Sequence, residues 1–221
     1  MNKFWRDYWE SQQVRLDELL KKSYEETQNK KFIYCIGDCL VEGIGTDQGF
    51  DYPTQLQKIL GSEYKVINLG MTMIQMDVLS STFTTFFVEK LKQNGIVCLL
   101  CGTNDLYWSM MAKTLYDLYS NFSLTLKEHH KIISLTLLPR INMTPQDFEI
   151  NRLGFNDCVR NNWNQFSDIL ADIGNDEKIG YADAPKDFYY YDEKDNTHLN
   201  KVGYGILANI VCDAIKKLEK I

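Results

Sequence analysis

Three side chains that can support nucleophilic chemistry stand in two separate parts of the sequence. Cys39 directly follows an apolar run, and Gly37 just before it permits a tight turn. A thiol in such a turn can attack a carbonyl carbon once a base removes its proton. His198 can be that base when it is neutral, and Asp195, three residues earlier, can hydrogen-bond its other ring nitrogen. The spacing therefore indicates a candidate Cys-His-Asp triad.

A second group of residues could stabilise negative charge on the oxygen of an attacked carbonyl. Asn104 can donate an amide N–H, and the backbone N–H groups of Cys39 and Gly70 can converge with it if these segments meet. Two aromatic residues near these segments, Trp108 and Tyr190, are candidates for lining a substrate groove, and packing under a loop is the equal alternative. The residues thus predict an oxyanion hole beside the thiol.

The apolar pattern predicts the elements that would bring these residues together. Short continuous apolar runs that end in Gly or Pro are typical of buried parallel strands. Four runs have this form and a fifth is weaker: residues 32–36, 64–69, 96–101, 132–138 and 179–182. The gaps hold helical patterns, at residues 53–60, 76–93, 113–130, 147–172 and 201–219. This alternation predicts an α/β fold with a five-stranded parallel sheet covered by helices on both faces.

Ligands of such sheets bind beyond the carboxyl ends of the strands, which is where the polar residues named above fall. Residues 1–30 are predicted to form a helical extension, because apolar residues such as Phe4, Trp5 and Tyr8 recur at about helical spacing. We expect this extension to pack on a core domain of residues 31–221, or to form an oligomer contact. Segment 181–199 is predicted to be a long loop before the last helix.

Composition narrows the class of protein. The chain has 221 residues and a net charge of -6, which argues against a nucleic-acid partner because phosphate contacts need clustered Lys and Arg. No stretch approaches the ~20 apolar residues of a membrane span, and no apolar segment of signal-peptide length is visible at the start. We therefore expect a cytoplasmic protein with no membrane span.

Six cysteines invite a disulfide or metal interpretation, but neither is favoured. A chain of this length can build its core without disulfides, and most of the cysteines stand in apolar runs where small buried thiols are common. Cys98 and Cys101 stand three residues apart in a predicted strand, so they point to opposite faces and would not chelate one ion easily. We expect free thiols and neither a metal nor a cofactor.

The polar blocks, taken in order, resemble those of the SGNH hydrolase superfamily, also called the GDSL lipase/esterase family. The matching blocks are Gly37-Asp38-Cys39-Leu40 with Gly43, Gly70, Gly102-Thr103-Asn104-Asp105, and Asp195-x-x-His198-Leu199-Asn200 with Gly203-Tyr204. The resemblance runs from residue 32 to about residue 220 and implies a flavodoxin-like three-layer α/β/α fold. It also implies ester hydrolysis through an acyl-enzyme, with Cys39 as nucleophile, Asp195 and His198 completing the triad, and Cys39, Gly70 and Asn104 forming the oxyanion hole.

The chain departs from this family at the nucleophile, where a cysteine replaces the usual serine. Cys39 is compatible with a native thiol enzyme that forms a thioester, with an introduced substitution that slows turnover, or with a degenerate site. We expect an acyl-ester hydrolase or acyl-transfer enzyme acting on a short-acyl ester of a sugar or small metabolite. The alternatives are an acyltransferase or thioesterase on a carrier-bound acyl group, a Ser-to-Cys substituted esterase, and a non-catalytic binding module.

Overall fold

The computed structural model describes residues 3–25, 29–142 and 144–220, with side chains from Asp7 onward, so the Phe4 and Trp5 side chains lie outside the described part. The strands are β1 (Lys31–Gly37), β2 (Tyr64–Gly70), β3 (Ile96–Leu100), β4 (Lys131–Leu135) and β5 (Ile169–Ala171). The helices are α1 (Lys3–Glu25), α2 (Cys39–Glu42), α3 (Tyr52–Leu60), α4 (Met76–Phe86), α5 (Thr103–Tyr107), α6 (Ala112–Lys127), α7 (Phe148–Phe166) and α8 (Lys201–Glu219).

The strands form one sheet in the order β2-β1-β3-β4-β5, and every pair is parallel. The central strands β1 and β3 are buried along almost their whole length, as continuous apolar runs between two helical layers require. In the register of β1 and β2, Gly37 lies opposite Gly70, so both strands end at the same edge. The predicted α/β fold with a five-stranded parallel sheet is confirmed.

The fifth strand is not where the sequence pattern placed it. The prediction put it at residues 179–182, whereas the structure has Ile169–Ala171 paired with Ile133–Leu135 of β4. This strand has only three residues and lies at the sheet edge, where its short apolar run merges with the pattern of the preceding helix. Residues 179–182 instead form turns that lead into the long loop.

The first helix packs along the β2 side of the sheet. Leu16 and Leu20 are fully buried against the core. Asp17 of the same helix forms an ion pair with Lys90, Oδ1 to Nζ 2.6 Å, which links α1 to the segment after α4. Among the described helices, none combines the length and the apolar character that crossing a membrane requires.

Candidate active site

Cys39 begins α2 directly after the carboxyl end of β1, at the edge of the sheet where ligands bind in this architecture. Asp38 caps the helix, since its Oδ1 accepts the Leu40 N–H at 3.0 Å. Gly37 is required here because a Cβ at this position would lie 1.8 Å from the Leu100 carbonyl oxygen. The turn that presents the thiol therefore depends on β1 and β3 approaching closely.

The Cys39 thiol is buried, with 5% of the residue exposed. Burial raises the pKa of the thiol well above its ordinary value, and the nearby Asp38 carboxylate raises it further. Arg140 and hydrogen bonds from the backbone N–H groups of Cys39 and Met73 lower the thiol pKa by less. At neutral pH the thiol therefore carries its proton, and a base must remove it before it can attack.

Met73 is a site residue that the sequence analysis missed. It lies in the loop between β2 and α4 with φ +61°, a left-handed conformation that is uncommon for a methionine. Its backbone N–H lies near enough to the Cys39 thiol to lower the pKa of that thiol. Unusual backbone conformations concentrate at functional sites, and this one lies beside the candidate nucleophile.

Asn104 and Asp105, both on α5, bind the loop that contains Met73. Asn104 Nδ2 donates to the Ile74 carbonyl oxygen at 3.0 Å, which leaves its second amide hydrogen for another acceptor. Both carboxylate oxygens of Asp105 accept the Met76 N–H, at 2.9 and 3.1 Å. Burial raises the pKa of Asp105 to about 7. These contacts fix loop 71–75 against α5.

Gly70 occupies the predicted edge, but its N–H is already used. That N–H donates to Asn68 Oδ1 at 3.0 Å, and the Gly70 carbonyl oxygen accepts from Arg15 Nη2 at 2.6 Å. A Cβ at Gly70 would lie 2.2 Å from the Glu42 backbone nitrogen. The glycine thus allows α2 to pack on the end of β2, and its N–H is not aimed at the thiol.

Helix α1 also contacts the loop that follows β2. Tyr8 donates its hydroxyl hydrogen to the Thr72 carbonyl oxygen at 3.1 Å, one residue before Met73. Glu42 Oε2 accepts from both the Thr72 N–H, at 2.6 Å, and the Thr72 hydroxyl, at 2.5 Å. With the bond from Arg15 to Gly70, these contacts tie residues 70–72 to α1 and α2.

His198 and Asp195 lie together in the loop before α8. His198 Nδ1 and Asp195 Oδ2 are 2.5 Å apart, and Asp195 Oδ1 accepts the His198 backbone N–H at 3.0 Å. Burial raises the pKa of Asp195, but the hydrogen bonds from the His198 ring and backbone outweigh this, so the carboxyl pKa lies below its ordinary value. Gly45, with φ +92°, lets its loop approach His198 closely, since a Cβ there would lie 2.6 Å from the His198 Cβ.

The second ring nitrogen of His198 is free to act. Nε2 is buried and has no hydrogen-bond partner within the described part of the chain, so it makes no hydrogen bond to Cys39 Sγ in this conformation. A buried imidazole nitrogen without a partner is costly unless a ligand or another residue pairs with it. The ring is thus oriented on one side by Asp195 and left open on the other.

Trp108 and Tyr190, the two candidates for lining a substrate groove, each pack against a neighbouring aromatic ring. Trp108 is 62% exposed and packs edge-on against Tyr107, just after α5. Tyr190 packs edge-on against Tyr189, and its carbonyl oxygen accepts the Asn200 N–H at 3.0 Å. Among the described contacts, none joins either ring to Cys39 or His198, so their part in a groove stays a prediction.

The order of these elements and residues matches a known family. The profile of the family described as GDSL-like Lipase/Acylhydrolase matches residues 33–211, well over half of the chain. This chain belongs to that family. As a GDSL-like acylhydrolase it is a hydrolase of ester bonds, and the resemblance expected from the sequence motifs is confirmed.

Solved structures show the same fold at low sequence identity. A lipolytic protein of the GDSL family from Veillonella parvula superposes with a TM-score of 0.69 at 13% identity, covering 84% of this chain and 98% of the other. A carbohydrate acetylesterase family member from Sinorhizobium meliloti gives 0.66 at 15% identity, covering 86% and 100%. A GDSL-family lipolytic protein from Desulfitobacterium hafniense gives 0.65 at 16%, covering 84% and 99%. A search among curated proteins found no match.

Two features of this GDSL-like acylhydrolase escaped the sequence analysis. The residue type methionine does not indicate that its backbone N–H lies near the thiol, and the positive φ of Met73 is known only from the structure. Arg140 received no role from its sequence position. In the structure its guanidinium lies 4.5 Å above the Tyr107 ring and acts electrostatically on Cys39.

Proposed function

We propose that this protein cleaves short-acyl esters through a thioester formed on Cys39, with His198 as general base and acid and Asp195 orienting the imidazole. The oxyanion hole of the proposal consists of the backbone N–H groups of Cys39 and Met73 and the amide of Asn104. Met73 takes the place first predicted for Gly70, whose N–H is engaged by Asn68. Residues 31–221 form the catalytic domain in this proposal, and residues 1–30 are its helical extension.

The single observation that carries the proposal is the pairing of His198 Nδ1 with Asp195 Oδ2 at 2.5 Å, which orients the imidazole and leaves its buried Nε2 without a hydrogen-bond partner in the described part of the chain. The backbone N–H groups of Cys39 in α2 and of Met73 in the loop after β2 both lower the pKa of the thiol, and Asn104 Nδ2 binds the carbonyl oxygen of Ile74, next to Met73, at 3.0 Å. Donors arranged in advance around a developing oxyanion are the main electrostatic device of acyl-transfer enzymes. Removing one such donor raises the barrier by roughly 3–4 kcal/mol in measured cases.

The proposed cycle uses only groups of this chain and water. His198 Nε2 removes the Cys39 proton, and the sulfur forms a bond to the carbonyl carbon while the oxyanion accepts hydrogen bonds from the hole. The C–O bond to the alcohol then breaks, and the imidazolium returns its proton to the leaving oxygen. Water, deprotonated by His198, adds to the thioester and releases the acid and the thiol. The ionised Asp195 stabilises the imidazolium at each stage.

The free protein needs one adjustment for this cycle. Nε2 of His198 has no partner, so a rotation of the Cys39 side chain or a small shift of the loop must bring sulfur and nitrogen into contact. Catalytic hydrogen bonds are often long in the free enzyme and shorten when substrate binds. The raised thiol pKa fits a nucleophile that loses its proton only during attack, as a serine would.

A short acyl group on a sugar or small metabolite is the substrate class that we propose. The fold similarity to a protein called a carbohydrate acetylesterase family member is consistent with such a substrate. We include a cytoplasmic location in the proposal, because all six cysteines are free and a reducing compartment preserves thiols.

The test is mass spectrometry of the protein after mixing with para-nitrophenyl acetate. We expect one acetyl adduct on Cys39, absent in Cys39→Ala and retained in the control Cys158→Ala, whose cysteine lies half-exposed on α7. Faster discharge of the adduct by an amine than by water would assign acyl transfer as the main reaction. Full esterase activity in Cys39→Ala would contradict the proposal, and so would rapid turnover with no Cys39 adduct in any quenched sample.

The activity of Cys39→Ser on the same ester distinguishes a native cysteine nucleophile from a cysteine introduced in place of serine. A large gain with serine indicates a site shaped for oxygen in which sulfur is a substitution, because a misplaced attacking atom can cost about 100-fold. A loss indicates a site adapted to sulfur. Retained folding of every variant is checked by circular dichroism.

A further inference from the structure

Arg140 lies between the two halves of the candidate site. It follows β4, and its guanidinium stacks on the ring of Tyr107, which is three residues after Asn104 on α5, at 4.5 Å. The next residue, Ile141, donates its N–H to the carbonyl oxygen of Asn196, at 3.4 Å. Asn196 stands between Asp195 and His198. These contacts place a cation beside both the candidate oxyanion donor and the loop of the candidate base.

Other arginines in the described part of the chain have protein partners. Arg152 donates to both oxygens of Glu149, at 2.7 and 2.6 Å, and Arg160 donates to both oxygens of Asp172, at 2.8 and 3.0 Å. Within the described residues, Arg140 makes no hydrogen bond and no ion pair, and its Nε is buried without an acceptor. A buried N–H without an acceptor is unfavourable, so the Nε of Arg140 remains unsatisfied unless a ligand supplies an acceptor.

A cavity of about 430 Å³ opens beside this arginine. The other charged groups in its wall are paired: Lys186 with Asp183 at 2.7 Å, and Glu149 with Arg152. Among the charged residues that line the cavity, Arg140 is therefore the one without an ion-pair partner. A guanidinium fixed against an aromatic ring is suited to bind a planar carboxylate, or a phosphate, through two parallel hydrogen bonds.

We propose that Arg140 binds an anionic oxygen-acid group of the substrate, a carboxylate or a phosphate, so that the preferred esters carry a negative charge near the scissile carbonyl. This inference rests on the proposed function, because it takes Cys39 as the point of attack. It deepens that function by naming the charge of the substrate. Stacking on Tyr107 orients the guanidinium, and the anion supplies the acceptor that Nε lacks.

The first test compares two esters of similar acyl length, para-nitrophenyl hemiglutarate, which is anionic, and para-nitrophenyl valerate, which is neutral. We expect the wild-type protein to favour the hemiglutarate in kcat/KM. In Arg140→Met the ratio of the two kcat/KM values should fall by about tenfold or more, because a charge-assisted pair of hydrogen bonds is lost. Arg140→Lys, which keeps the charge and loses the planar fork, should restore part of the ratio. Arg160→Met, remote from the site, is the matched control and keeps the wild-type ratio.

The second test measures binding without catalysis. Glutarate and inorganic phosphate are titrated by calorimetry into Cys39→Ala protein and into the same protein that also carries Arg140→Met. Binding that disappears with Arg140→Met supports the inference even if no ester is turned over, and the tighter ligand identifies the anion. An equal loss on both esters in Arg140→Met would instead make Arg140 a counter-ion for the thiolate and overturn the inference. Binding that does not depend on Arg140 would overturn it as well.

Discussion

The contact between Arg15 and Gly70 provides a sharp test of whether α1 takes part in catalysis. The family profile begins at residue 33, so this helix lies outside the part of the chain that defines the family. Arg15 Nη2 donates to the Gly70 carbonyl oxygen at 2.6 Å, three residues before Met73. Arg15→Met preserves the length of the side chain and removes this hydrogen bond. We expect loop 70–73 to become less well fixed against the thiol.

The expected size follows from the bond that is lost. A hydrogen bond from a charged donor contributes about 1.5–3 kcal/mol, and the 39% exposure of the Arg15 side chain places this one near or below the lower limit, at about 1 kcal/mol. If that free energy keeps the Met73 N–H aimed at the site, kcat falls roughly fivefold, since about 1.4 kcal/mol corresponds to a factor of ten. KM should change less, because the loop contributes donors that act on the developing oxyanion.

The assay measures kcat and KM on para-nitrophenyl acetate, together with urea unfolding of each variant. Lys90→Met is the matched control, because it removes another contact of α1 with the core, the 2.6 Å ion pair with Asp17, away from the loop. This control should keep the wild-type kcat, and Arg15→Lys should recover part of the lost rate. If Arg15→Met and Lys90→Met lower kcat equally, or if neither changes it, then α1 only packs on the domain and the reasoning is refuted.

Three further predictions concern stability and the thiol. His130 is buried, and neither of its ring nitrogens has a hydrogen-bond partner in the described part of the chain. Burial lowers its pKa from 6.5 to about 4. The free energy of unfolding should therefore fall by at most about 3 kcal/mol as the pH is lowered from 6.5 toward 4. Urea unfolding between pH 8 and 4 should show this loss in the wild type and much less of it in His130→Phe. Gly70→Ala should destabilise the fold by more than about 2 kcal/mol, because its Cβ would lie 2.2 Å from a backbone nitrogen of α2. Gly49→Ala, which has open space around it, should cost only the left-handed backbone strain of about 1 kcal/mol, and equal losses in the two variants would contradict the packing argument. The rate at which iodoacetamide alkylates Cys39 should rise with pH without levelling off near neutrality, because the thiol pKa is raised. Asp38→Asn should increase this rate at a given pH, since it removes a negative charge that raises the thiol pKa. A plateau of the rate below pH 7 would show that Cys39 is already a thiolate and would contradict the prediction.

Much of the architecture could be predicted from the sequence because it depends on local patterns. Four of the five strands lie where continuous apolar runs end in Gly or Pro, and the main helices lie in the gaps between them. The strand Ile169–Ala171 could not be found in this way. It has three residues, and what makes it a strand is pairing with Ile133–Leu135 of β4, which no local pattern encodes.

Part of the candidate site could likewise be predicted from local sequence, and part of it could not. Asp195 and His198 stand three residues apart, so the loop between them is enough to predict their contact, and the structure has it at 2.5 Å. The Met73 N–H of the proposed oxyanion hole could not be predicted, because every residue except proline has a backbone N–H and its direction depends on the fold. Gly70 was chosen for its type and its place at a strand end, whereas the structure uses it for close packing with α2.

The sequence by itself determined the class of fold, the family and the side chains that can carry the chemistry, because residue types and their order along the chain encode these. The tertiary structure alone decided which backbone N–H groups lower the pKa of the Cys39 thiol, that burial raises this pKa, and that the guanidinium of Arg140 stacks on Tyr107 without a hydrogen-bond acceptor or an ion-pair partner in the described part of the chain. Each of these depends on distances between residues far apart in the chain. Such distances exist only after the sheet has assembled and the loops at its edge have packed against one another.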